Sequence, residues 1–440
     1  MSKVALAIDI GATSGRFVIG HFQGEKLTTK ILYRFNNYLK KKDGKLYWQI
    51  EKLEREIING LKVCRRKKII PDTLSIDTFG VDYLALKGSE KSNVFSYRDD
   101  RTITAKALLN DVYSDEELYF MTGIIPHQFN TIFQLYDDKL NERLLGVDHI
   151  LFLPAYLLYF LTGKMSTELS ILSTSGIFEI DKLTFNKKLL NILEIDEKTF
   201  PSLIKPGSHI GNLLPSISNE VGFQTKVKMT YLHDTAAAIY GANISENEIF
   251  ISSGTWSIIG TLLKEPIITK ETFDTGFSNE LSEKGVIRFL KNIMGMWIFN
   301  NVRMELDPTL SANDAKKLAY EGMDFITPFN VTSSVFLNPK SMVTSIKNEY
   351  IKMGCRPPKT SAQFYFAIFN SLAISYAKAI DEIEKITNKT YKIVKVLGGG
   401  SKNELLNALT AKHSKKTVLP TIVEATAVGN ILKQLKGESL

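Results

Sequence analysis

The chain has 440 residues, of which 44% are hydrophobic and 23% are charged. This length exceeds what one ordinary hydrophobic core supports and predicts two domains, and the composition excludes a disordered or fibrous protein. The formal charge is +8, but the basic runs at 40–42 and 65–68 are short and no nucleic-acid-binding motif accompanies them, so we expect solvated basic faces and no nucleic-acid partner.

No segment predicts membrane insertion or export. The longest apolar run, residues 151–161, has 11 residues and contains Pro154, whereas a bilayer-spanning helix needs about 20. We expect a buried helix there and no membrane partner. The N-terminus lacks a signal-peptide pattern, and Cys64 and Cys355 lie in no CxxC motif, which is typical of a reducing compartment. We therefore expect a cytoplasmic protein.

Strands and helices alternate from the N-terminus onward. Short apolar runs rich in β-branched residues predict strands, and apolar residues at helical spacing predict a helix. This alternation indicates an α/β fold. In chain order the sequence predicts strands at 3–9, 16–22 and 27–35, a helix at 51–61, and strands at 73–76 and 81–86.

A second strand–turn–strand unit follows in the middle of the chain, with strands at 249–252 and 256–262. Because it repeats the pattern of the first unit, we predict an internal duplication. The boundary is placed near residue 243, which gives an N-terminal domain at 1–243 and a C-terminal domain at 244–440.

The C-terminal part predicts a long helix and a glycine-rich turn. Thr360 and Gln363 have the spacing of a capping box and predict the start of an amphipathic helix. A strand at 393–397 then leads into three glycines, and a further helix starts at about residue 403.

The first turn has the composition of a phosphate-binding loop. Segment 8–16 reads IDIGATSGR; its glycines let backbone N–H groups approach phosphate oxygens, and Thr13, Ser14 and Arg16 add hydroxyl groups and positive charge. Asp9 is a candidate for holding Mg²⁺ through water. The turn opens a strand rather than a helix, and the chain has no GxxxxGK(S/T) motif, which excludes the Rossmann and standard P-loop sites. A purely structural hairpin is the alternative.

Small residues follow an acid in segment 231–238, YLHDTAAA. They allow a helix to start at Asp234 and to pack closely, so that the carboxylate projects from the helix N-terminus. Such an aspartate can act as the general base that takes a proton from a sugar hydroxyl during phosphoryl transfer. The alternative is an ordinary N-cap, which aspartate favours, and His233 taken alone is more typical of a structural histidine.

Two further turns have features of a nucleotide site. Segment 253–257, SGTWS, offers the Thr255 hydroxyl and turn amides as a second phosphate clamp. The three glycines at 398–400 leave bare backbone against which adenine or phosphates can lie. A triple glycine can equally be a flexible turn.

Segments 76–82, IDTFGVD, and 97–102, YRDDRT, combine carboxylates, guanidinium groups and an aromatic ring. This mixture is typical of polyol-binding sites. Arg98 and Asp99 can instead form a surface ion pair that contributes under about 1 kcal/mol.

Taken in order, these segments resemble the motifs of the FGGY carbohydrate kinases. The set is IDIGATSGR, IDTFGVDYL, YRDDRT, TGI with FNTIFQL, HDTAAA, ISSGTWS, LKNIMGMW, LGGGSKNELLNALTA and EATAVGN, from about residue 4 to residue 435. Each motif alone is weak evidence for this family, but all of them in this order are specific for it. FNTIFQL and LKNIMGMW narrow the resemblance to one branch of the family.

The resemblance implies two actin-like, ribonuclease-H-like domains, with a sugar and MgATP bound in the cleft between them. It implies that Asp234 is the catalytic base; Asp9 and Asp234 are the candidate metal ligands. The candidate substrate-binding residues are Phe79, Gly80, Asp82, His233 and Thr235. The candidate nucleotide-binding residues are Ala12, Thr13, Ser14, Gly15, Arg16, Thr255, Asn292, Asn300, Gly399 and Gly400.

Two positions depart from the family pattern. Phe79 stands where a tryptophan is usual, which keeps an aromatic wall but removes an N–H donor. Asn300 stands where a glutamine is expected near ATP.

The branch resemblance implies ATP-dependent phosphorylation of L-rhamnulose at its 1-hydroxyl, in L-rhamnose catabolism. The alternatives are a kinase of the same family for another ketose, such as L-fuculose or L-xylulose, and a non-catalytic sugar- or nucleotide-binding regulator on the same fold. The acidic groups at Asp9 and Asp234, and a chain that begins directly with a strand instead of a DNA-binding helix-turn-helix, disfavour the regulator. The sequence does not indicate an oligomeric state.

Overall fold

A computed structural model describes residues 3–37, 39–337 and 339–437 of the chain. The strands are β1 Val4–Ile10, β2 Ser14–Gln23, β3 Lys26–Asn36, β4 Leu39–Lys42, β5 Lys45–Trp48, β6 Thr73–Thr78, β7 Tyr83–Lys87, β8 Glu90–Lys91, β9 Val94–Phe95, β10 His149–Phe152, β11 Phe178–Glu179, β12 Thr184–Phe185, β13 His209–Asn212, β14 Lys226–Lys228, β15 Glu248–Ser253, β16 Trp256–Leu263, β17 Ser278–Glu283, β18 Val286–Met294, β19 Ile393–Leu397 and β20 Thr417–Pro420.

The helices interleave with these strands, which confirms the predicted α/β class. They are α1 Ile50–Arg66, α2 Thr102–Asn110, α3 Asp115–Thr122, α4 Thr131–Leu140, α5 Leu153–Thr162, α6 Leu169–Leu172, α7 Lys187–Leu193, α8 Pro215–Val221, α9 Asp234–Gly241, α10 Lys270–Thr275, α11 Met296–Leu306, α12 Ala312–Leu318, α13 Met342–Lys352, α14 Ser361–Thr387, α15 Glu404–Ser414 and α16 Ala425–Lys436.

Two six-stranded sheets organise the molecule. Their orders are β13-β14-β6-β1-β2-β3 and β17-β18-β16-β15-β19-β20. In the first sheet, β1, β2 and β3 run antiparallel, while β6 and β14 continue parallel to β1. The second sheet repeats this arrangement with β15, β16 and β18 antiparallel and β19 and β20 parallel to β15. The predicted internal duplication is thus present in the topology.

Local sequence accounts for several element boundaries. Pro154 lies in the first turn of α5, where its missing N–H has no helical partner to lose, so the apolar run at 151–161 divides into the end of a strand and a buried helix. The Thr360 side chain accepts from the Gln363 N–H at the start of α14, while the Gln363 side chain accepts from the Lys359 N–H instead of the cap residue. Half of the predicted capping box is therefore present.

Two helices cross between the sheets. Helix α9 follows the first sheet in sequence, yet its Ala238 and Ile239 pack with Phe250 of the second sheet. Helix α16 does the reverse, because Ala427 and Ile431 pack against strands β1 and β2 of the first sheet. Each half of the chain therefore covers part of the other half's sheet. Among the described residues, no helix combines the length and apolar character needed to cross a membrane.

Candidate active site

Three aspartates lie at one edge of the first sheet. Strands β1 and β6 are parallel, and their register pairs Asp9 with Asp77. Beyond Asp77, Thr78 forms a parallel bridge with His233, which brings the start of α9 and its first residue, Asp234, to the same edge. Two carboxylates that are far apart in sequence thereby join the predicted base.

The electrostatics of these carboxylates favour a bound cation. Burial, followed by repulsion from Asp9, raises the pKa of Asp234 to about 6, and burial raises the pKa of Asp9 and Asp77 as well. Asp77 Oδ2 accepts from Asn430 Nδ2 at 2.5 Å, whereas its buried Oδ1 has no hydrogen-bond partner among the described residues. A cation bound nearby would reduce the repulsion between these carboxylates and would give the unpaired Oδ1 of Asp77 a partner.

The same acids fit Mg²⁺ that is bound together with a nucleotide. Within the described ranges, no three acidic, histidine or cysteine side chains already form a metal-binding group. Magnesium sites in phosphoryl-transfer enzymes commonly use only one or two carboxylates, with the remaining ligands supplied by phosphates and water. Asp9 and Asp234 match that pattern, and Asp77 is an acid at this edge that the sequence analysis did not name as a candidate. The repeated Ile-Asp at the ends of β1 and β6 was the available signal.

Asp234 is the first residue of α9 rather than its cap. His233 occupies the N-cap position and makes no side-chain capping bond. The Asp234 side chain remains 35% exposed, and its Oδ1 accepts from Thr235 Oγ at 3.1 Å. Thr235 and the alanines that follow are buried, so close packing of the helix fixes the position of this partly exposed carboxylate.

His233 lies between the predicted base and the second sheet. Its Nε2 is 3.9 Å from Asp234 Oδ1, and its Nδ1 is 2.9 Å from Nη1 of Arg288. A Cβ at Gly80 would lie 2.9 Å from His233 Nε2, so any larger residue at position 80 would displace the imidazole ring. Burial, followed by the charge of Arg288, lowers the pKa of His233 well below its usual value. The ring is therefore neutral.

An aromatic wall adjoins this histidine. The ring of Phe79 lies 4.7 Å from that of Trp48 and 5.5 Å from that of Tyr97, and Tyr97 meets Phe129 edge to face at 6.4 Å. The wall contains a tryptophan after all, contributed by β5 instead of by the IDTFG segment. Nothing in the sequence connected Trp48 with Phe79.

Asp82 is part of the support behind that wall. Its Oδ2 accepts from Trp48 Nε1 at 2.6 Å and from the Tyr97 N–H at 3.0 Å, and its Oδ1 accepts from Gln134 Nε2 at 2.9 Å. The side chain is 1% exposed, and burial raises its pKa to about 7. These contacts orient the wall, and a direct role of Asp82 in sugar binding stays a prediction.

The first predicted phosphate loop is a clamped turn. The Gly11 N–H donates to Ser14 O at 2.9 Å, and Asn37 donates from its N–H to Thr13 O at 2.9 Å and from Nδ2 to Gly11 O at 3.0 Å. Thr13 and Ser14 are exposed and Ala12 is half-buried. The hydroxyl groups of Thr13 and Ser14 are thus accessible to a ligand.

The last two residues of this loop face the protein. A Cβ at Gly15 would lie 2.1 Å from the ring of Phe35, so this glycine serves packing. Arg16 donates from Nε to Asp9 Oδ2 at 2.8 Å, and its Nη1 lies 3.4 Å from Glu424 at the start of α16. The guanidinium group therefore spans one carboxylate from each half of the chain.

The second turn and the triple glycine lie together in the second sheet. The register of β15 and β19 pairs Ser252 with Leu397, which places the turn at Thr255 beside the glycines. Thr255 and Gly399 are exposed. A Cβ at Gly399 would meet no atom within 4 Å, whereas one at Gly400 would lie 2.0 Å from Ser253 Oγ. Gly399 is thus the glycine that faces open space.

The two predicted asparagines occupy neighbouring elements of the second half. Asn292 lies on β18 opposite Ile258 and is half-buried, whereas Asn300 is exposed on α11. The backbone N–H of Trp297 in α11 donates to Thr255 O at 3.2 Å. This bond ties the helix that carries Asn300 to the second turn.

The arrangement suits transfer of a phosphoryl group to a hydroxyl. The first half supplies a partly exposed carboxylate beside a neutral imidazole, an aromatic wall and a turn with exposed hydroxyl groups. The second half supplies a second exposed turn and bare backbone. Asp77 and Glu424 lie in quoted motifs but had no predicted role, and Trp48 and Arg288 lie outside those motifs. All four join the predicted residues only in the folded chain.

The sequence matches models of a known protein family over both halves of the chain. The model for the FGGY family of carbohydrate kinases, N-terminal domain, matches residues 4–241, and that for the C-terminal domain matches residues 249–437. The rhamnulokinase of Bacillus subtilis (strain 168) is 36% identical over 98% of this chain and 89% of its own length. The rhamnulokinase of Bacteroides thetaiotaomicron is 34% identical over 99% of this chain and 90% of its own length.

Solved structures share the fold. The crystal structure of gluconate kinase from Lactobacillus acidophilus aligns with a TM-score of 0.82 at 16% identity, over 99% of this chain and 89% of that one. Plasmodium falciparum glycerol kinase with ADP aligns with a TM-score of 0.79 at 13% identity, over 100% of this chain and 91% of that one. The predicted two-domain fold of sugar kinases is confirmed.

Proposed function

Because the chain belongs to the FGGY family of carbohydrate kinases, we propose that it transfers the γ-phosphoryl group of ATP to the 1-hydroxyl of L-rhamnulose, giving L-rhamnulose 1-phosphate and ADP in L-rhamnose catabolism. The choice of sugar is supported by rhamnulokinases that are about one third identical over nearly the whole chain. The observation that carries the reaction type is the partly exposed Asp234 carboxylate at the start of α9, 3.9 Å from His233 Nε2.

The reaction needs one proton transfer and one displacement. Asp234 removes the proton of the sugar 1-hydroxyl as that oxygen attacks the γ-phosphorus, and the bond from the γ-phosphorus to the bridging oxygen of ADP breaks. His233, Thr235 and Gly80 contact the sugar, against the aromatic wall that contains Phe79. The proton stays on Asp234 until the product leaves.

The nucleotide lies along the turns of both halves in this proposal. Thr13, Ser14 and Arg16 contact its terminal phosphates from one side, and Thr255 and Gly399 contact it from the other, with Asn292 and Asn300 nearby. Asp9 and Asp234 would hold Mg²⁺, which when bound neutralises the charge of the phosphate oxygens. Closure of the cleft between the halves excludes water as a competing acceptor.

The proposal also assigns a different ligand to each half of the chain. We assign residues 1–243 to an N-terminal domain that binds the sugar and residues 244–440 to a C-terminal domain that binds the nucleotide. The separate sheets support this boundary, although α9 and α16 each pack on the opposite sheet. The two unpaired cysteines, Cys64 and Cys355, and the use of ATP support a reaction in the cytoplasm.

A sugar panel tests the proposal. The purified protein is incubated with MgATP and L-rhamnulose, L-fuculose, L-xylulose, D-xylulose, gluconate or glycerol, and release of ADP is followed by a coupled assay. We expect the highest kcat/KM with L-rhamnulose. A higher value with another ketose would replace the substrate, and no ADP release with any sugar would refute the kinase activity.

A further inference from the structure

A buried arginine from the second sheet reaches the sugar side of the site. Arg288, on β18, is 0% exposed. Its Nη2 donates to Ser170 O at 3.1 Å and to Leu281 O at 3.0 Å, and it lies 3.1 Å from Glu280 Oε2. Its Nη1 is 2.9 Å from His233 Nδ1. A guanidinium group held by this many acceptors has little freedom to turn away.

The direction of the bond to His233 follows from chemistry. An arginine guanidinium group has five N–H donors and no acceptor, and it stays protonated in proteins. His233 Nδ1 must therefore accept, which it can do only when it carries no proton. A neutral imidazole has one N–H group, so the proton of His233 is on Nε2.

The Nε2–H group of His233 points into the proposed sugar site. Nε2 lies 3.9 Å from Asp234 Oδ1 and beside Gly80, where a Cβ would approach it to 2.9 Å. A fixed donor and the proposed base thus lie side by side. Two oxygens on neighbouring carbons of a sugar could be bound by such a pair, one by each group.

The backbone of His233 is held in place by a second buried group. The His233 N–H donates to Ser170 Oγ at 3.2 Å, and the Ser170 hydroxyl in turn donates to Glu168. Glu168 Oε2 also accepts from the Leu232 N–H at 3.2 Å. Both the ring and the main chain of His233 are thereby fixed by residues outside its own helix.

We propose that Arg288 is a positioning residue that holds His233 in the Nε2–H form, so that His233 donates a hydrogen bond to the sugar oxygen next to the hydroxyl that Asp234 deprotonates. This proposal rests on the proposed sugar kinase activity. The opposite form could not donate from Nε2 to that oxygen, and its Nε2 lone pair would face the Asp234 carboxylate, which repels it. The residue that orients the sugar-binding imidazole thus comes from the half of the chain that binds the nucleotide.

The first experiment reads the proton position without any sugar. The full-length protein is labelled with nitrogen-15 histidine, long-range proton–nitrogen correlations are recorded, and the His233→Gln variant assigns the signal of residue 233. We expect a protonated Nε2 and an unprotonated Nδ1 for the wild-type protein. A protonated Nδ1 would overturn the proposal, and the wild-type signal itself is read without Arg288 being changed.

The second experiment removes the donor. In Arg288→Met we expect the nitrogen-15 signals of His233 to move away from the values of a pure Nε2–H tautomer. The KM for the sugar should rise roughly tenfold, as for one lost hydrogen bond. The KM for ATP should change less than twofold. Glu280→Gln is the matched control, because it alters the same buried cluster and keeps the bond to His233; its signal should stay in place. Should Arg288→Met not fold, Arg288→Leu, which also lacks an N–H donor, replaces it with the same expectations.

The outcomes separate this inference from the proposed function. If the panel selects another sugar, the KM comparison is made with that sugar and the tautomer result is unchanged. If no sugar leads to ADP release, the tautomer of His233 can still be measured, but the proposed role of Arg288 in sugar binding is refuted. An unchanged sugar KM in a folded Arg288→Met protein would overturn the positioning role.

Discussion

At the residue scale, the surroundings of Asp234 suit the general-base role that we propose for it. Burial and the nearby Asp9 raise its pKa to about 6, while hydrogen bonds from Thr235 and the charge of Arg288 act in the opposite direction. A base functions best when its pKa lies near the working pH. Asp234 is therefore mostly ionised at neutral pH, yet basic enough to accept a proton.

Replacing this carboxylate tests its role directly. For Asp234→Asn we expect kcat to fall by roughly 10²- to 10⁴-fold, because the proposed general base is lost, while the affinity for ATP stays close to that of the wild-type protein. Steady-state kinetics and nucleotide titration provide the measurement. Turnover near the wild-type value would remove Asp234 from the mechanism.

Neighbouring glycines provide a matched pair of substitutions. Because a Cβ at Gly400 would lie 2.0 Å from Ser253 Oγ, Gly400→Ala should lower the free energy of unfolding by about 1 to 3 kcal/mol, as overpacking does. Gly399→Ala has open space for the same methyl group, so we expect stability within about 0.5 kcal/mol of the wild type and a raised KM for ATP. Thermal unfolding and kinetics distinguish the two; equal effects on stability would contradict the packing argument.

At the element scale, the entry to α9 depends on a short segment that the sequence analysis did not consider. Glu168 caps α6 through the Ser170 N–H at 2.8 Å and accepts from the Leu232 N–H. It is 0% exposed, and burial raises its pKa to about 7. The carboxyl group thus joins α6 to the strand-like segment that leads into His233.

This raised pKa predicts how stability varies with pH. The folded state binds a proton at Glu168 up to about pH 7, whereas the unfolded chain releases it near 4.5. Stability from this group is complete below the unfolded pKa and is lost as pH rises through the folded pKa. Between pH 5 and 8, the wild-type protein should lose more stability than Glu168→Gln, by on the order of 2 to 3 kcal/mol.

Urea unfolding of both proteins at several pH values measures this difference. Asp82 also has a pKa of about 7, but it is present in both proteins, so its contribution cancels in the comparison. Parallel stability curves for the two proteins would show that Glu168 is ionised in the folded state throughout this range.

At the scale of the whole molecule, the two halves meet where α9 and α16 cross. A Cβ at Gly429 would lie 1.8 Å from Ala237 O, and one at Gly241 would lie 2.1 Å from Ala425 O. Glycine at both positions lets the two helix backbones touch. The same crossing carries the bond from Asn430 to Asp77, so the geometry of the acidic edge depends on it.

A single methyl group at this crossing should disturb both stability and activity. We expect Gly429→Ala to lower the free energy of unfolding by about 1 to 3 kcal/mol, because the helices must move apart, and to reduce kcat as the Asn430–Asp77 bond lengthens. Lys436→Ala, at the exposed end of α16, serves as the control. Calorimetry and kinetics provide the measurements, and an unchanged melting temperature would refute the close contact.

Much of the fold followed from local patterns. The two strand–turn–strand units, the long helix from Ser361 and the strand before the three glycines lie within a few residues of their predicted positions. Periodicity and turn residues report on the neighbours of a residue along the chain, which is sufficient for such elements. The ordered motifs also predicted the family.

By itself, the sequence determined which elements form, in which order, and which side chains are suited to phosphoryl transfer. Only the tertiary structure decided which of them meet: Arg16 contacts Glu424 from 408 positions away, Trp48 bonds to Asp82, and Arg288 bonds to His233. Local composition cannot encode such pairs, because they arise when two sheets and two exchanged helices are packed against each other. The charges and hydrogen bonds that define the site exist only after that packing.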